Sequence, residues 1–372
     1  MKKALRITAA LLVTAMLALS LFSCGIVKGD TVMQYGDYKI TEAMYSYWMS
    51  SFKSYFLYYY GTSGQYDQLW TQTLPDGRTY EQFFAEFIDG YAKKVLISMK
   101  LFDEYGMTFP DEKRREIDGR LEDAKNNYGG KAELNSYLST FGLNIKTLEK
   151  IYYEEAKVDL VTEKLFSVGG ELELKDTDRV AFYEKNYYCV NWIYVYTEKK
   201  PDTESAGTDA DGNFVKVDLT DEEKAQKEAL VQSILGKLEA GESFASLKLQ
   251  YCEDKNADGT SKYDYYPNGF NLSGNSYSDG YGVELIKLIQ GMQVGQIATF
   301  KDEYSTRIII RNPLIPYGDL TPQELSFMVD FDSYLKEEKL DGYVEAINEF
   351  KVATEVAARY RVENVPTIDM SL

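Results

Sequence analysis

The sequence predicts an α+β protein in which a helical domain is interrupted by a small sheet-bearing α/β module and then resumes. Three observations lead there. Apolar residues recur at helical spacing through most of residues 42–166, as one buried face of a 3.6-residue period requires. The character then switches at residues 190–196 (VNWIYVY), a β-branched and aromatic run that reads as a strand. After two more strand-like runs, a capped helical pattern returns at Thr321. The order is therefore a discontinuous helical block around an antiparallel insert.

The elements follow in chain order. Residues 1–24 read as a targeting segment: Lys2, Lys3 and Arg6 precede an apolar run over 7–19 that is too short to span a bilayer comfortably. Leu21-Phe22-Ser23-Cys24 resembles a lipobox, in which cleavage before Cys24 and acylation of its thiol tether the mature chain. An ordinary secretory signal with a chance cysteine, or an uncleaved anchor, are the other readings. No later stretch approaches ~18 apolar residues. Residues 25–30 form a short tether, and 32–40 two short strands around Gly36-Asp37. Met44, Trp48, Phe52, Tyr55 and Tyr59 mark one helix, and Phe84, Phe87, Tyr91, Val95, Met99 and Phe102 another, with a loop over 61–76. Helices follow over 111–127, 131–141, 145–166 and 176–186. Beyond the 190–196 strand, 198–213 is a polar insertion and Thr220-Asp-Glu-Glu223 is a capping box opening a helix to Gly241. A short helix over 244–251, a Gly/Asn/Ser/Tyr-rich loop over 254–280, a helical turn over 283–289, and strands over 297–300 and 306–311 complete the insert. Thr321-Pro-Gln-Glu324 is a second capping box, with Pro at the first helical position, and one long helix is expected to about residue 350. Residues 351–356 alternate like a strand.

Composition removes whole classes of function. The 372 residues carry 41 Lys+Arg against 59 Asp+Glu, a formal net charge of −18, so the basic footprint of a nucleic-acid protein is absent. There is no histidine, which excludes Ser-His-Asp triads, Cys-His pairs and histidine metal sites. No Walker loop, no G-x-G-x-x-G after a strand and no C-x-x-C occurs, and no cofactor is expected. Because the only charges in residues 1–24 are basic, the remainder is more acidic still. Anionic headgroups would repel it, so the lipid has to hold it at the membrane.

The order strand, helix, Gly241-Glu242-Ser243-Phe244, loop, Met292-Gln-Val-Gly295-Gln-Ile-Ala298, then Thr306-Arg307-Ile308-Ile309 resembles a parvulin-type (PpiC-type) peptidyl-prolyl isomerase module. Tyr35-Gly36-Asp37-Tyr38-Lys39-Ile40-Thr41 is similar to the opening of PrsA/SurA-type extracytoplasmic foldases. Asp176, Val180, Phe182, Tyr183 and Asn186 match the helix that enters their isomerase domain. The resemblance covers nearly the whole chain after the signal. It implies a lipoprotein signal peptide at 1–24, a SurA N-terminal-like chaperone domain over 25–188 completed by 313–372, and a parvulin-like domain over 189–312. It also implies an extracytoplasmic, lipid-anchored location and unfolded or extended secreted polypeptides as partners, with no nucleic acid.

The site is where the chain departs from that family. A prolyl isomerase lowers an amide rotation barrier of ~18–20 kcal/mol, by an apolar pocket, exclusion of water and a placed hydrogen-bond network. The family builds that network from two histidines around a Cys or Asp. Alignment of the strands puts Trp192 and Arg307 at the two histidine positions and Asp254 at the third, so Asp254 is the one catalytic candidate retained. Phe270, Tyr281 and Leu285 fall at the positions that shape the proline pocket, and with Trp192 and Arg307 form the candidate peptide-binding set. Trp192 offers one donor and no acceptor, and Arg307 is permanently charged, so neither replaces a neutral imidazole. An Arg307–Asp254 ion pair is the expected substitute. The implied function is a membrane-anchored folding factor whose isomerase site is degenerate, with residual isomerase activity as the other reading of the site. The alternative is a lipoprotein binding one specific ligand or envelope partner on a reused scaffold.

Two further readings stay open. Asp254-Lys-Asn256-Ala-Asp258-Gly259 matches the first half of a calcium loop, but position twelve is Tyr265 rather than Glu, and no metal site is expected. Cys189 and Cys252 can pair in an oxidising compartment or remain thiols. The 32 tyrosines include the clusters 58–60, 152–153, 187–188 and 265–266, which cannot all face inward. Exposed tyrosine suits the binding of varied extended chains, and an ordinary amphipathic surface is the other reading.

Overall fold

The computed structural model describes residues 29–61, 65–74, 77–201, 216–255, 269–274, 282–326, 328 and 330–372. Cys24, Tyr281, the tyrosines at 265–266 and most of the 254–265 acidic loop lie outside the described residues. Among those described, no helix is long and apolar enough to cross a membrane. The chain divides into two compact units, Met1–Leu174 with Lys336–Leu372, and Lys175–Leu335.

In the first unit, β1 (Thr31–Tyr35) pairs antiparallel with β2 (Tyr38–Thr41) on one side and β9 (Lys351–Val352) on the other. Thr41 caps α1 (Glu42–Tyr60), its side chain accepting from the Met44 amide. After the single turn α2 (Tyr66–Leu69), a Thr79/Gln82 capping box opens α3 (Tyr80–Glu104), which satisfies two of the donors that a helix start leaves orphaned. α4 (Asp111–Asn127), α5 (Lys131–Ser139) and α6 (Ile145–Phe166) complete the bundle. Its core runs from Met33 and Ile40 through Met44, Trp48, Phe84, Ile88 and Leu96 to Leu148 and Ile151. The aromatic period read along α1 holds for burial only through its first turns. Met44 and Trp48 are interior, whereas Tyr55 and Tyr59 are about half exposed.

Within this core the Glu155 carboxylate accepts from Trp48 Nε1 at 2.9 Å and lies 3.8 Å from the Arg120 guanidinium. Burial raises its pKa to about 6, against the opposing pull of Trp48 and Arg120. The folded chain thus holds this proton more tightly than the unfolded chain does, where the value is 4.5. The associated stability is complete below pH 4.5 and is lost as pH rises through 6, about 2 kcal/mol in all. Glu155→Gln is therefore expected to gain about 2 kcal/mol on the parent between pH 4.5 and 7 in denaturant titrations. A difference that stays flat with pH would refute this.

The second unit is built on β3 (Tyr187–Tyr196), which continues directly from α7 (Asp176–Asn186). The sheet order is β6 (Phe270–Ser273), β3, β8 (Ser305–Asn312), β7 (Ile297–Lys301), antiparallel throughout. One face packs on α10 (Val283–Gly291). The other packs on α8 (Asp221–Glu239) and α9 (Phe244–Tyr251) through Ile193, Val195, Ile308, Val231, Ile234 and Leu247. A short ribbon, β4 (Lys199–Pro201) with β5 (Lys216–Asp218), leads into the Thr220/Glu223 capping box of α8.

Five expectations need correction, the first being the loop over 61–76, which contains α2. The 254–280 stretch is not all loop, because it contains β6, and the polar insertion begins with β4. The long helix after Thr321 is two helices, α11 (Pro322–Ser326) and α12 (Phe331–Glu345). Between them Asp330 adopts φ +63°, a left-handed conformation that Asp tolerates better than most residues. The 351–356 strand shrinks to β9, followed by the turn α13 (Thr354–Ala357).

Candidate functional site

Strand register fixes the relation between the candidate residues. Trp192 lies opposite Ile309 and Tyr194 opposite Arg307 across the β3–β8 ladder, and Phe300 of β7 lies opposite Arg307 on its other side. Because directly paired residues point to the same face of a sheet, Trp192, Tyr194, Arg307 and Phe300 share the α10 side. Trp192 and Arg307, two of the candidates singled out in the sequence, are thus brought together.

The surroundings of Trp192 are a packed interior. It is 1% exposed, and Phe270 meets it edge-on with ring centroids 4.5 Å apart. Leu285 and Ile289 of α10, with Met292, Val190, Leu272 and Ile309, close the rest of its shell. The candidate pocket residues Phe270 and Leu285 therefore do meet Trp192, as filling rather than as walls.

The Arg307 guanidinium lies 5.3 Å from the Trp192 ring centre, 5.5 Å from Tyr194 and 6.0 Å from Phe300, within cation–π range of all three. Its ion-pair partner is Asp302, with Nη2 to Oδ2 at 3.1 Å. This corrects the expected Arg307–Asp254 pair. The same Asp302 accepts at Oδ1 from the amides of Tyr304 and Ser305 and from the Ser305 hydroxyl. The carboxylate is fixed by its own β7–β8 turn, three residues of chain from the strand that carries Arg307. A local turn thus supplies the counter-charge at little cost in chain ordering.

Asp254 is buried and follows α9 on a segment that runs along the edge of β3 beyond β6. The Glu253 amide donates to the Tyr194 carbonyl at 2.8 Å, the Tyr196 amide donates to Glu253 Oε2 at 2.8 Å, and the Tyr194 amide reaches Cys252 Sγ at 3.5 Å. Glu253 is further paired with Lys227. Burial raises the Tyr194 phenol, opposed by a hydrogen bond with Ser305, and the charges of Asp302, Arg307 and Asp254 all act on it.

Tyr194, Phe300 and Asp302 were not among the sequence candidates. The alternation Trp192-x-Tyr194 and the turn Asp302-x-x-Ser305 are the signals that point to them. Cys189 and Cys252 are buried thiols not joined in a disulfide. Burial raises both, Cys189 to about 11, so neither is a nucleophile at neutral pH. Among the described residues no group of acidic or thiol side chains is arranged to hold a metal.

Chemically, the face offers a permanent cation in an aromatic cage and an indole. The chain has no histidine to place there, and the described neighbours of Trp192 leave it 1% exposed.

No family model matches the chain, and no curated protein matches its sequence. Solved structures similar to it include PrsA from Bacillus subtilis, at 17% identity and TM-score 0.23, covering 78% of this chain and 88% of that one. The foldase protein PrsA from Streptococcus pneumoniae matches at 16% identity and TM-score 0.24, covering 79% and 92%. The peptidylprolyl isomerase PrsA from Bacillus cereus matches at 17% identity and TM-score 0.28, covering 81% and 94%.

Proposed function

We propose that this chain is an extracytoplasmic folding factor, tethered through a lipid on Cys24, that grips extended secreted polypeptides. Its sheet module has the form of a prolyl isomerase without a working isomerase site. The observation that carries the reading is an exposed aromatic surface at the end of α1. Tyr58 is 71% exposed, and Tyr55, Tyr59, Tyr60 and Tyr66 are each more than two-fifths exposed. Three of these rings adjoin, with Tyr55–Tyr59 centroids 4.4 Å apart and Tyr58–Tyr59 4.9 Å apart. Such a patch on a folded surface marks an interaction site. Tyrosine offers large rigid contact area at low entropic cost and a hydroxyl that stays wet, so it tolerates many partner sequences. The filled Trp192 cluster supports the second half of the proposal. Apolar contact is present there, and the described side chains fill the space around the indole.

Aggregation of several unrelated clients is the test. The chain is expected to suppress it broadly, and replacing Tyr55, Tyr58 and Tyr59 together by Ser is expected to remove most of that effect. Suppression of none would favour the single-partner alternative. In a proline-isomerisation assay on short peptides, turnover is expected at the uncatalysed rate, unchanged by Asp254→Ala. Catalysis that falls in Asp254→Ala would overturn the degenerate-site reading.

A further inference from the structure

The sheet of the second unit has a face away from Trp192 and Arg307. Asn191 pairs with Ile310 across the β3–β8 ladder, so alternation turns it to the α8 and α9 side with Ile193 and Ile308. It is 3% exposed, and a buried amide has to be met at both ends. Lys248 Nζ of α9, itself buried, donates to Asn191 Oδ1 at 2.7 Å, and the Trp192 amide donates to the same oxygen at 3.0 Å. Two donors on one atom settle which end of the side chain is oxygen. The Nδ2 end has no partner among the described residues.

Asn191 borders a cavity of about 480 Å³, a size typical of ligand sites. Phe244 and Ala245 at the start of α9, Ile310 of β8 and the run 313–315 supply its apolar walls. With Oδ1 engaged, Nδ2 is the end of Asn191 that can serve this space. The site therefore asks for an acceptor oxygen carried on an apolar body. Residues 313–316 add a third element. They follow β8 outside any helix or ladder, and Pro313 and Pro316 hold the residues before them, Asn312 and Ile315, in extended backbone. The Leu314 and Ile315 amides make no hydrogen bond among the described residues. An extended run with unused amides beside an apolar cavity is a surface to which another extended chain adds. The chain's net charge of −18 repels free anions, so a neutral peptide carbonyl suits Asn191 better than a carboxylate.

We infer that this cavity is a second peptide-binding site, which takes an apolar residue of an extended segment. The side chain of that residue fills the cavity, its carbonyl accepts from Asn191 Nδ2, and its neighbours lie along 313–316. The inference rests on the polypeptide-gripping reading above and adds a grip on the sheet module, on the face that Trp192 and Arg307 do not use.

The test uses the full chain and the fluorescein-labelled peptide Gly-Leu-Val-Leu-Gly, amidated at its C-terminus, followed by anisotropy. Tyr55→Ser, Tyr58→Ser and Tyr59→Ser are made together in every chain used, so that the α1 surface does not contribute. This chain is expected to bind the peptide. Asn191→Asp keeps the side-chain shape and the contact with Lys248 but removes the donor, and is expected to weaken binding about tenfold, as one lost hydrogen bond does. Ala245→Glu alters an exposed position at the cavity rim, so the fold is kept, and it is expected to weaken binding by at least as much. Should Asn191→Asp fail to fold, Ala245→Glu decides. No binding, or binding unchanged by Ala245→Glu, would overturn the inference. Displacement of the peptide by an equal concentration of octanoate would assign the cavity to a free apolar carboxylate and overturn it as well. A parent chain that suppresses aggregation while its tyrosine-to-serine form binds no peptide keeps the proposed function and loses this inference.

Discussion

Replacing Trp192 by alanine is expected to lower the unfolding free energy of the 175–335 unit by about 3–5 kcal/mol, the range for deleting a large buried aromatic side chain. The ring is 1% exposed, and everything around it is a neighbour that loses contact when it goes. Phe270 loses an edge-on partner at 4.5 Å, Leu285, Ile289 and Met292 face a void, and the Arg307 guanidinium loses an aromatic face at 5.3 Å. The void is bounded by a central strand and by α10, neither of which can collapse into it without breaking pairing, so the upper half of the range is favoured. For a unit of this size the melting temperature should fall by roughly 6–20 °C. Hydrogen exchange should quicken in β3 and β8 while α3 and α6 keep their protection, since those helices belong to a separate core. Trp192→Phe should recover more than half of the loss. A cost below about 1 kcal/mol would mean that the indole faces an open recess, and the isomerase question would reopen.

That prediction also marks how much of the site could be read from the chain alone. The strand pattern of residues 190–196 and the run through Ile308-Ile309-Ile310 were enough to align Trp192 and Arg307, because period-two alternation fixes which residues share a face. The capping boxes at Thr220 and Thr321 both form, since their hydrogen bonds close within three residues and need no tertiary help. What escaped was non-local. β6 has only Phe270 and Leu272 as apolar members in a run of Gly, Asn and Ser. It is a strand because β3 offers a ladder and Trp192 a ring to cover. The break at Asp330 was hidden by Leu325, Met328 and Leu335, whose spacing reads as one helix. It is imposed by Phe331, which turns onto Phe182, Tyr187 and Tyr317. The partner of Arg307 was misassigned because a carboxylate in the turn that leads into its own strand is silent in an alignment, whereas Asp254 stood at a familiar position.

The charge of Arg307 and the aromatic packing around it are consistent with each other. Arg307 cannot give up its proton and its charge must be met. Asp302 and three aromatic faces meet it. The module is stabilised by the groups that close it.

Gly269→Ala is expected to cost about 4 kcal/mol or more, out of proportion to one methyl group. Gly269 sits immediately before β6 with φ +104°, a conformation that L side chains rarely adopt. A Cβ there would lie 2.6 Å from the Val190 carbonyl oxygen, 2.8 Å from Asn312 Nδ2 and 3.1 Å from the Val190 carbonyl carbon. Two of those three atoms are backbone of the central strand, so no rotamer change relieves the contact. Phe270 pairs with Val190 in the next position, and the only escape is for β6 to withdraw from β3. Withdrawal would uncover Phe270 and Leu272 and with them the edge of the Trp192 cluster. Gly282→Ala is the control. Its φ is +74°, but a Cβ there meets nothing within 4 Å, so it should cost only the ~1–2 kcal/mol of a left-handed backbone. The difference between the two variants in denaturant titrations isolates the close approach of β6 to β3. Amide exchange should rise at residues 187–190 and 270–273 in Gly269→Ala and not in Gly282→Ala. Equal costs for the two would mean that β6 is held loosely, and that the face occupied by Trp192 is closed by a strand able to lift away.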